Sequence, residues 1–161
     1  MTMTMATALV DSQGRKAASQ LSTFLVDGLL FGVDVLSVQE VLRFQHMTPV
    51  PRAPQGIEGL INLRGQIVTA LDMRRRLNLP VRKENETPMN VVIRRTDGAV
   101  SLLVDEIGDV LPVDPANYED PPDNLDAETR KIVRSVYKLK DRLLLVLDEE
   151  RAVDLVCERS A

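Results

Sequence analysis

One histidine and one cysteine occur in 161 residues, and each scarcity removes a class of chemistry. His46 alone cannot form a histidine-rich metal cluster, and its place beside a proline-rich stretch marks an ordinary surface or packing residue. Cys157 alone forbids an intramolecular disulfide, which suits an intracellular protein, and near the C-terminus it reads as a small packing residue rather than a nucleophile. Strong basic blocks are lacking and the net charge is −4, which argues against nucleic acid as the main partner. Long apolar runs are lacking as well. Leu143 to Leu147 is a strand's worth, far short of a membrane span, and the N-terminus shows no basic start followed by an apolar core as a signal peptide would. There is no phosphate loop, dinucleotide fingerprint or zinc-ligand spacing. None of the 24 acidic residues stands in an apolar context that would single it out as a catalytic carboxylate. The expectation is a soluble cytoplasmic protein, not an enzyme, with no catalytic residue, cofactor or metal to assign.

What is present is an internal echo. Gly59 to Asp72 (GLINLRGQIVTALD) matches Ser135 to Asp148 (SVYKLKDRLLLVLD), with apolar residues coinciding at Leu60/Val136, Ile61/Tyr137, Leu63/Leu139, Ile67/Leu143, Val68/Leu144, Ala70/Val146 and Leu71/Leu147. Upstream, Val33-Asp34 and the following VLSVQEVL resemble Val104-Asp105 and EIGDVL, and each follows an Asp-Gly turn, Asp27-Gly28 or Asp97-Gly98. Such spacing implies two similar halves in tandem, each a small β unit.

Along the chain, residues 1–20 read as a loose tail. Thr23 to Val35 reads as a hairpin about Asp27-Gly28. Val35, Val38, Val41 and Leu42 recur at helical spacing behind Asp34, which predicts a short amphipathic helix over Val35 to Phe44. Pro49, Pro51 and Pro54 enforce an extended connection. Ile57 to Leu63 and Gln66 to Leu71 form a second hairpin with Arg64-Gly65 at its tip, and Asp72 caps a single turn that carries Arg74, Arg75 and Arg76, read as a solvated face. Asn90 to Arg95 and Ala99 to Val104 form a third hairpin, and Ile107 to Val113 a further strand. Asp114 to Arg130 reads as an exposed acidic loop, and Lys131 to Leu139 with Arg142 to Leu147 as the last hairpin. Asp148 caps a closing helix with Ala152, Val153 and Val156 on one face. Many short strands with few helices favour small barrels.

The series FGVDVLSVQEVL, a proline-bearing link, then IEGLINLRGQIVTALDMRRRL resembles the CheW family of chemotaxis coupling proteins, and VSLLVDEIGDVL with SVYKLKDRLLLVLD fits the same pattern. The resemblance implies an all-β fold of two small five-stranded SH3-like β-barrels related by pseudo-twofold symmetry, with short helices and a C-terminal helix. The domain would span residues 21–158. The first barrel would take about 21–80, with contributions from the C-terminal helix, and the second about 88–148. It also implies a non-catalytic adaptor that couples the cytoplasmic hairpin tip of a methyl-accepting chemoreceptor to the regulatory domain of a CheA-type histidine kinase, without inserting into the membrane. A same-family adaptor in a non-flagellar array, or a small-barrel ligand-binding protein, are the other readings.

By the same carry-over, Glu40 and Arg64 are expected to form an ion pair at the edge of a receptor-binding groove, with Val38, Val91 and Val110 lining it. Ser101 is also expected at the receptor-binding groove; it stands where the family often has glycine, as does Glu106, and a side chain at either point would crowd a close backbone approach. The kinase face is expected on the hairpin Ile57 to Leu71, with Ile57, Gly59, Leu60 and Arg64 as its contacts.

Overall fold

The computed structural model describes residues 9–10, 16–17, 20–54, 56–96 and 98–153. Leu9–Val10 (β1) and Lys16–Ala17 (β2) pair antiparallel, so the N-terminal tail contains paired backbone. Asp27 and Gly28 follow with φ of 51° and 80°. Two consecutive left-handed residues make a turn whose twist suits a tight hairpin, and Gln20–Val26 (β3) and Leu29–Asp34 (β4) pair antiparallel around it.

The expected helix over Val35 to Phe44 is not formed. Val35–Ser37 makes one 3-10 turn, capped by Asp34 through Leu36 N–H, and Val38–Leu42 is a strand, β5. A bulge explains the misleading period. Val38 lies opposite Ile93 and Val41 opposite Val91, so three steps on β5 face two on its partner. The extra residue turns a strand's alternation into a spacing of three that imitates a helix.

The remaining elements are Ile57–Leu63 (β6), Gln66–Asp72 (β7), Met73–Arg76 (α1), Met89–Arg95 (β8), Gly98–Val104 (β9), Glu106–Pro112 (β10), Tyr118–Glu119 (β11), Ala127–Ile132 (α2), Val133–Lys138 (β12) and Leu143–Leu147 (β13). Asp97 lies outside the described residues, and Gly98 already belongs to β9, opposite Arg95. The stretch expected as a plain acidic loop contains a 3-10 turn at Pro115–Asn117, β11 and the start of α2, which Asp126 caps. Residues 149–153 form a helical turn in which Asp148 Oδ1 accepts from Arg151 N–H, while Val156 and Cys157 lie outside the described residues.

The strands form a five-stranded sheet, β5-β8-β9-β7-β6, and a six-stranded sheet, β10-β3-β4-β13-β12-β11. In strand order across the two sheets, β5 matches β10, β8 matches β3, β9 matches β4, β7 matches β13 and β6 matches β12. The one parallel contact falls at the same place in each, β9 with β7 and β4 with β13. The echo in the sequence is therefore structural, but the two units are not consecutive. The first hairpin, β3-β4, joins the last, β12-β13, whereas β5, β6 and β7 join β8 and β9. The expected division into barrels at about 21–80 and 88–148 is corrected accordingly: each barrel-like unit takes strands from both halves of the chain.

Three apolar clusters follow from this exchange. Ile61, Leu63, Val68, Ala70, Val92 and Leu103 fill the first unit, and Leu21, Tyr137, Leu144 and Val146 the second. Phe24, Phe31, Val33, Leu71, Met73, Val91, Leu102, Val136 and Leu145 form a third interior shared by the two sheets, with Phe24 and Phe31 stacked at 6.0 Å. Fully burying side chains of this kind stabilises by roughly 1.5–3 kcal/mol each, so the shared cluster is large enough to make the units one folding body.

Candidate functional site

Glu40 and Arg64 stand on opposite edges of the five-stranded sheet. Glu40 belongs to β5, first in strand order, and Arg64 follows β6, last in order. Arg64 Nη1 donates to Glu40 Oε2 at 2.6 Å. The expected ion pair is formed, and it bridges the seam where the sheet's edges meet. Arg64 takes a left-handed φ of 52° and Gly65 one of 89°, with Asn62 Oδ1 accepting from Gly65 N–H at 2.9 Å. That turn lifts the guanidinium into solvent: the Arg64 side chain is 76% exposed, while Glu40 is 19% exposed. The hydrogen bond from Arg64 holds the Glu40 carboxyl below its usual range, and the same bond raises Arg64. A sheltered anion thus anchors an exposed cation whose remaining N–H groups face outward.

The seam has a second closure. Residues after β5 curl over the barrel, and Thr48 exchanges both backbone bonds with Leu60 of β6, at 2.9 and 2.8 Å. A Cβ on Gly59 would lie 2.7 Å from the Thr48 carbonyl oxygen. Gly59 is glycine so that this segment can pass. β11 performs the same closure on the other unit, pairing Glu119 with Val136, and Tyr118 meets Tyr137 edge to face at 5.8 Å.

The other residues singled out from sequence divide by burial. Val91 and Ser101 are fully buried, so neither side chain is available to line a surface groove. Val91 belongs to the shared interior, and Ser101 bonds to Asn90. Val38 is half-buried against that interior. Val110 is half exposed, on β10 of the other unit. On the hairpin, Ile57 packs partly on the shared interior and Gly59 lies under residues 47–48. Leu60 is half-buried at the seam. Ile67, which sequence did not single out, is 61% exposed on β7 opposite Asn62 and is the most accessible apolar side chain of the hairpin. Val41 and Phe44 are also exposed, on β5 and just beyond it.

The three arginines of α1 are not a solvated face. Arg74 is nearly buried and binds Asp105 through Nε and Nη2, and Arg82 Nε binds the same carboxylate at 3.1 Å. Asp105 also accepts from the Asp27 N–H at 2.7 Å. Arg76 is buried, with Nε donating to the Ala152 carbonyl and Nη1 to Glu128. Only Arg75, paired with Glu58, is half exposed. The Asp105 cluster ties the tip of the β3-β4 hairpin to α1 of the other unit, and its guanidiniums are occupied by carboxylates. Among the described residues no group of metal-ligating side chains is assembled.

This architecture has close counterparts. Residues 20–156 match the family model described as a CheW-like domain. The chain belongs to the CheW-like domain family. It is 30% identical over 146 residues to the chemotaxis protein CheW of Bacillus subtilis, covering 91% of this chain and 94% of that protein. It is 26% identical over 135 residues to CheW of Thermotoga maritima, covering 84% and 87%. The crystal structure of the scaffolding protein TtCheW from Thermoanaerobacter tengcongensis superposes with a TM-score of 0.71 at 26% identity, covering 81% of this chain and 89% of that one. The family assignment makes this CheW-like chain a chemotaxis protein of the scaffold type. Among its described residues no helix is long and apolar enough to cross a membrane.

Proposed function

We propose that the chain is a non-catalytic cytoplasmic adaptor that couples the hairpin tip of a methyl-accepting chemoreceptor to the regulatory domain of a CheA-type histidine kinase. The observation that carries this reading is the barrel seam. An ordered guanidinium, held outward by Glu40, stands across the seam from the β5 edge that carries exposed Val41 and Phe44, a mixed surface suited to an amphipathic helical tip. The kinase contact is assigned to the outer side of the β6-β7 hairpin, where half-buried Leu60 and exposed Ile67 form a small apolar patch beside Asn62. Both barrels are packed mainly with apolar side chains, which favours contact surfaces over an internal ligand site.

Calorimetric titration against the kinase regulatory domain and a receptor hairpin peptide tests this. Leu60→Asp is expected to abolish kinase binding and spare receptor binding, and Arg64→Glu to do the reverse. Wild-type protein that binds neither partner would overturn the proposal.

A further inference from the structure

Asn90 and Ser101 are completely buried polar residues inside the first unit. Ser101 Oγ donates to Asn90 Oδ1 at 2.8 Å, and Asn90 Nδ2 donates to the Arg43 carbonyl at 3.0 Å. The order of the bonds matters. With its carbonyl committed to the serine hydroxyl, the asparagine must turn its amide toward Arg43. Arg43 is the residue just past β5, whose ladder ends with Leu42 opposite Asn90. The side chain of Asn90 therefore makes the link that the backbone ladder stops short of, at the point where the chain leaves β8 and curls toward Thr48 and the seam.

The molecule contains its own control. Asn90 lies as far before Arg95, the last residue ahead of its hairpin turn, as Leu21 lies before Val26, and Ser101 lies as far after Gly98 as Gly32 after Leu29. At those equivalent places the second unit has an apolar pair, with Leu21 in the core and its Cβ 3.3 Å from where a Cβ on Gly32 would stand. There the edge strand β10 continues its ladder, with Pro112 opposite Gln20, one step past Leu111 opposite Leu21. The topology thus does not need the polar pair. The barrel that has it is the barrel that carries Glu40 and Arg64.

We infer that Asn90 and Ser101 are positioning residues, holding the end of β5 at the barrel seam so that Glu40 meets Arg64 and the receptor-facing edge keeps its shape. The receptor role rests on the function proposed above; the positioning of Glu40 does not. Transplanting the other barrel's pair, Asn90→Leu with Ser101→Gly, removes both bonds while keeping an arrangement this fold already uses. Ser101→Ala is the milder companion that frees the Asn90 amide to turn.

Each variant is followed by NMR titration of the Glu40 carboxyl, by thermal midpoint, and by calorimetric binding of a receptor hairpin peptide. The expected result is a folded protein in which Glu40 titrates nearer the ordinary glutamate range and the peptide binds about tenfold more weakly. A pair that served stability alone would lower the midpoint and leave the Glu40 titration in place; that result in both variants overturns the inference. If Glu40 moves but the peptide binds as before, the positioning role stands and the seam is not the receptor face. Should the double variant fail to fold, the Glu40 titration of Ser101→Ala decides by the same criterion.

Discussion

Asp105 receives bonds from Arg74, Arg82 and the Asp27 backbone, which makes it the hub of the charged contacts between the two units. Its burial alone would raise its pKa, but the hydrogen bonds from Arg74, from the Asp27 N–H and from Arg82 outweigh that and hold it below the usual aspartate range. A depressed folded pKa means that the stabilisation is present at neutral pH and is lost as pH falls through the folded value. Asp105→Asn is therefore expected to cost roughly 2–3 kcal/mol at neutral pH, below the full range for a buried pair because the cluster is partly open to water. It should also flatten the acid limb of stability below about pH 4. Urea denaturation across that range measures both. Glu149 has the opposite sign. Burial raises it, and Asp34 and Asp148 add to the rise against a hydrogen bond from Ser37. The protonated form is the one the fold favours, so stability falls as pH climbs through the raised value. Glu149→Gln is expected to raise the thermal midpoint at neutral pH and to change it little at about pH 4.

At the scale of elements, the edge strands and their closures decide what is accessible. Thr48 and Tyr118–Glu119 fold back over β6 and β12, and in the first unit the passage depends on the missing side chain of Gly59. Gly59→Ala is expected to destabilise by about 1–3 kcal/mol, as overpacking does, and to speed amide exchange at Thr48 and Leu60 before the rest of the sheet. Hydrogen exchange read residue by residue checks it. These closures also show what sequence reveals and what it hides. The Asp27-Gly28 and Arg64-Gly65 hairpins were legible because their turns demand left-handed residues. The Glu40–Arg64 pair was legible through the family resemblance. β5 imitates a helix in the sequence because its bulge sets Val38 and Val41 three residues apart. Ile107 and Val110 face β3 across the same kind of bulge, with Ile107 opposite Phe24 and Val110 opposite Ser22. Asn90 looked like a strand residue among valines. Nothing local in the sequence discloses that its partner is the carbonyl of Arg43, 47 positions away.

For the whole molecule, the tandem echo in the sequence and the exchanged pairing in space differ in a way that has consequences. Similarity along the chain marks which strands are equivalent, but not which copies pair. Here the parallel contacts of β4 with β13 and of β7 with β9 interleave the halves around one shared interior. Cutting the chain within residues 81–87 should therefore yield two fragments that are unfolded alone and that fold on mixing, in a single cooperative transition seen by circular dichroism. Two separately folding fragments would contradict the interleaved account. Both proposed partner-binding surfaces lie on the five-stranded unit, one at the seam between β5 and β6 and one on the outer side of the β6-β7 hairpin, so that sheet fixes their spacing, as an adaptor needs if it is to hold a receptor and a kinase together. The most direct test of that role is a sequential titration: the protein is first saturated with the kinase regulatory domain, and the receptor hairpin peptide is then added. Separate faces predict the same receptor affinity for the free and the kinase-bound protein, with a stable ternary complex. Displacement of the kinase domain by the receptor peptide would contradict it.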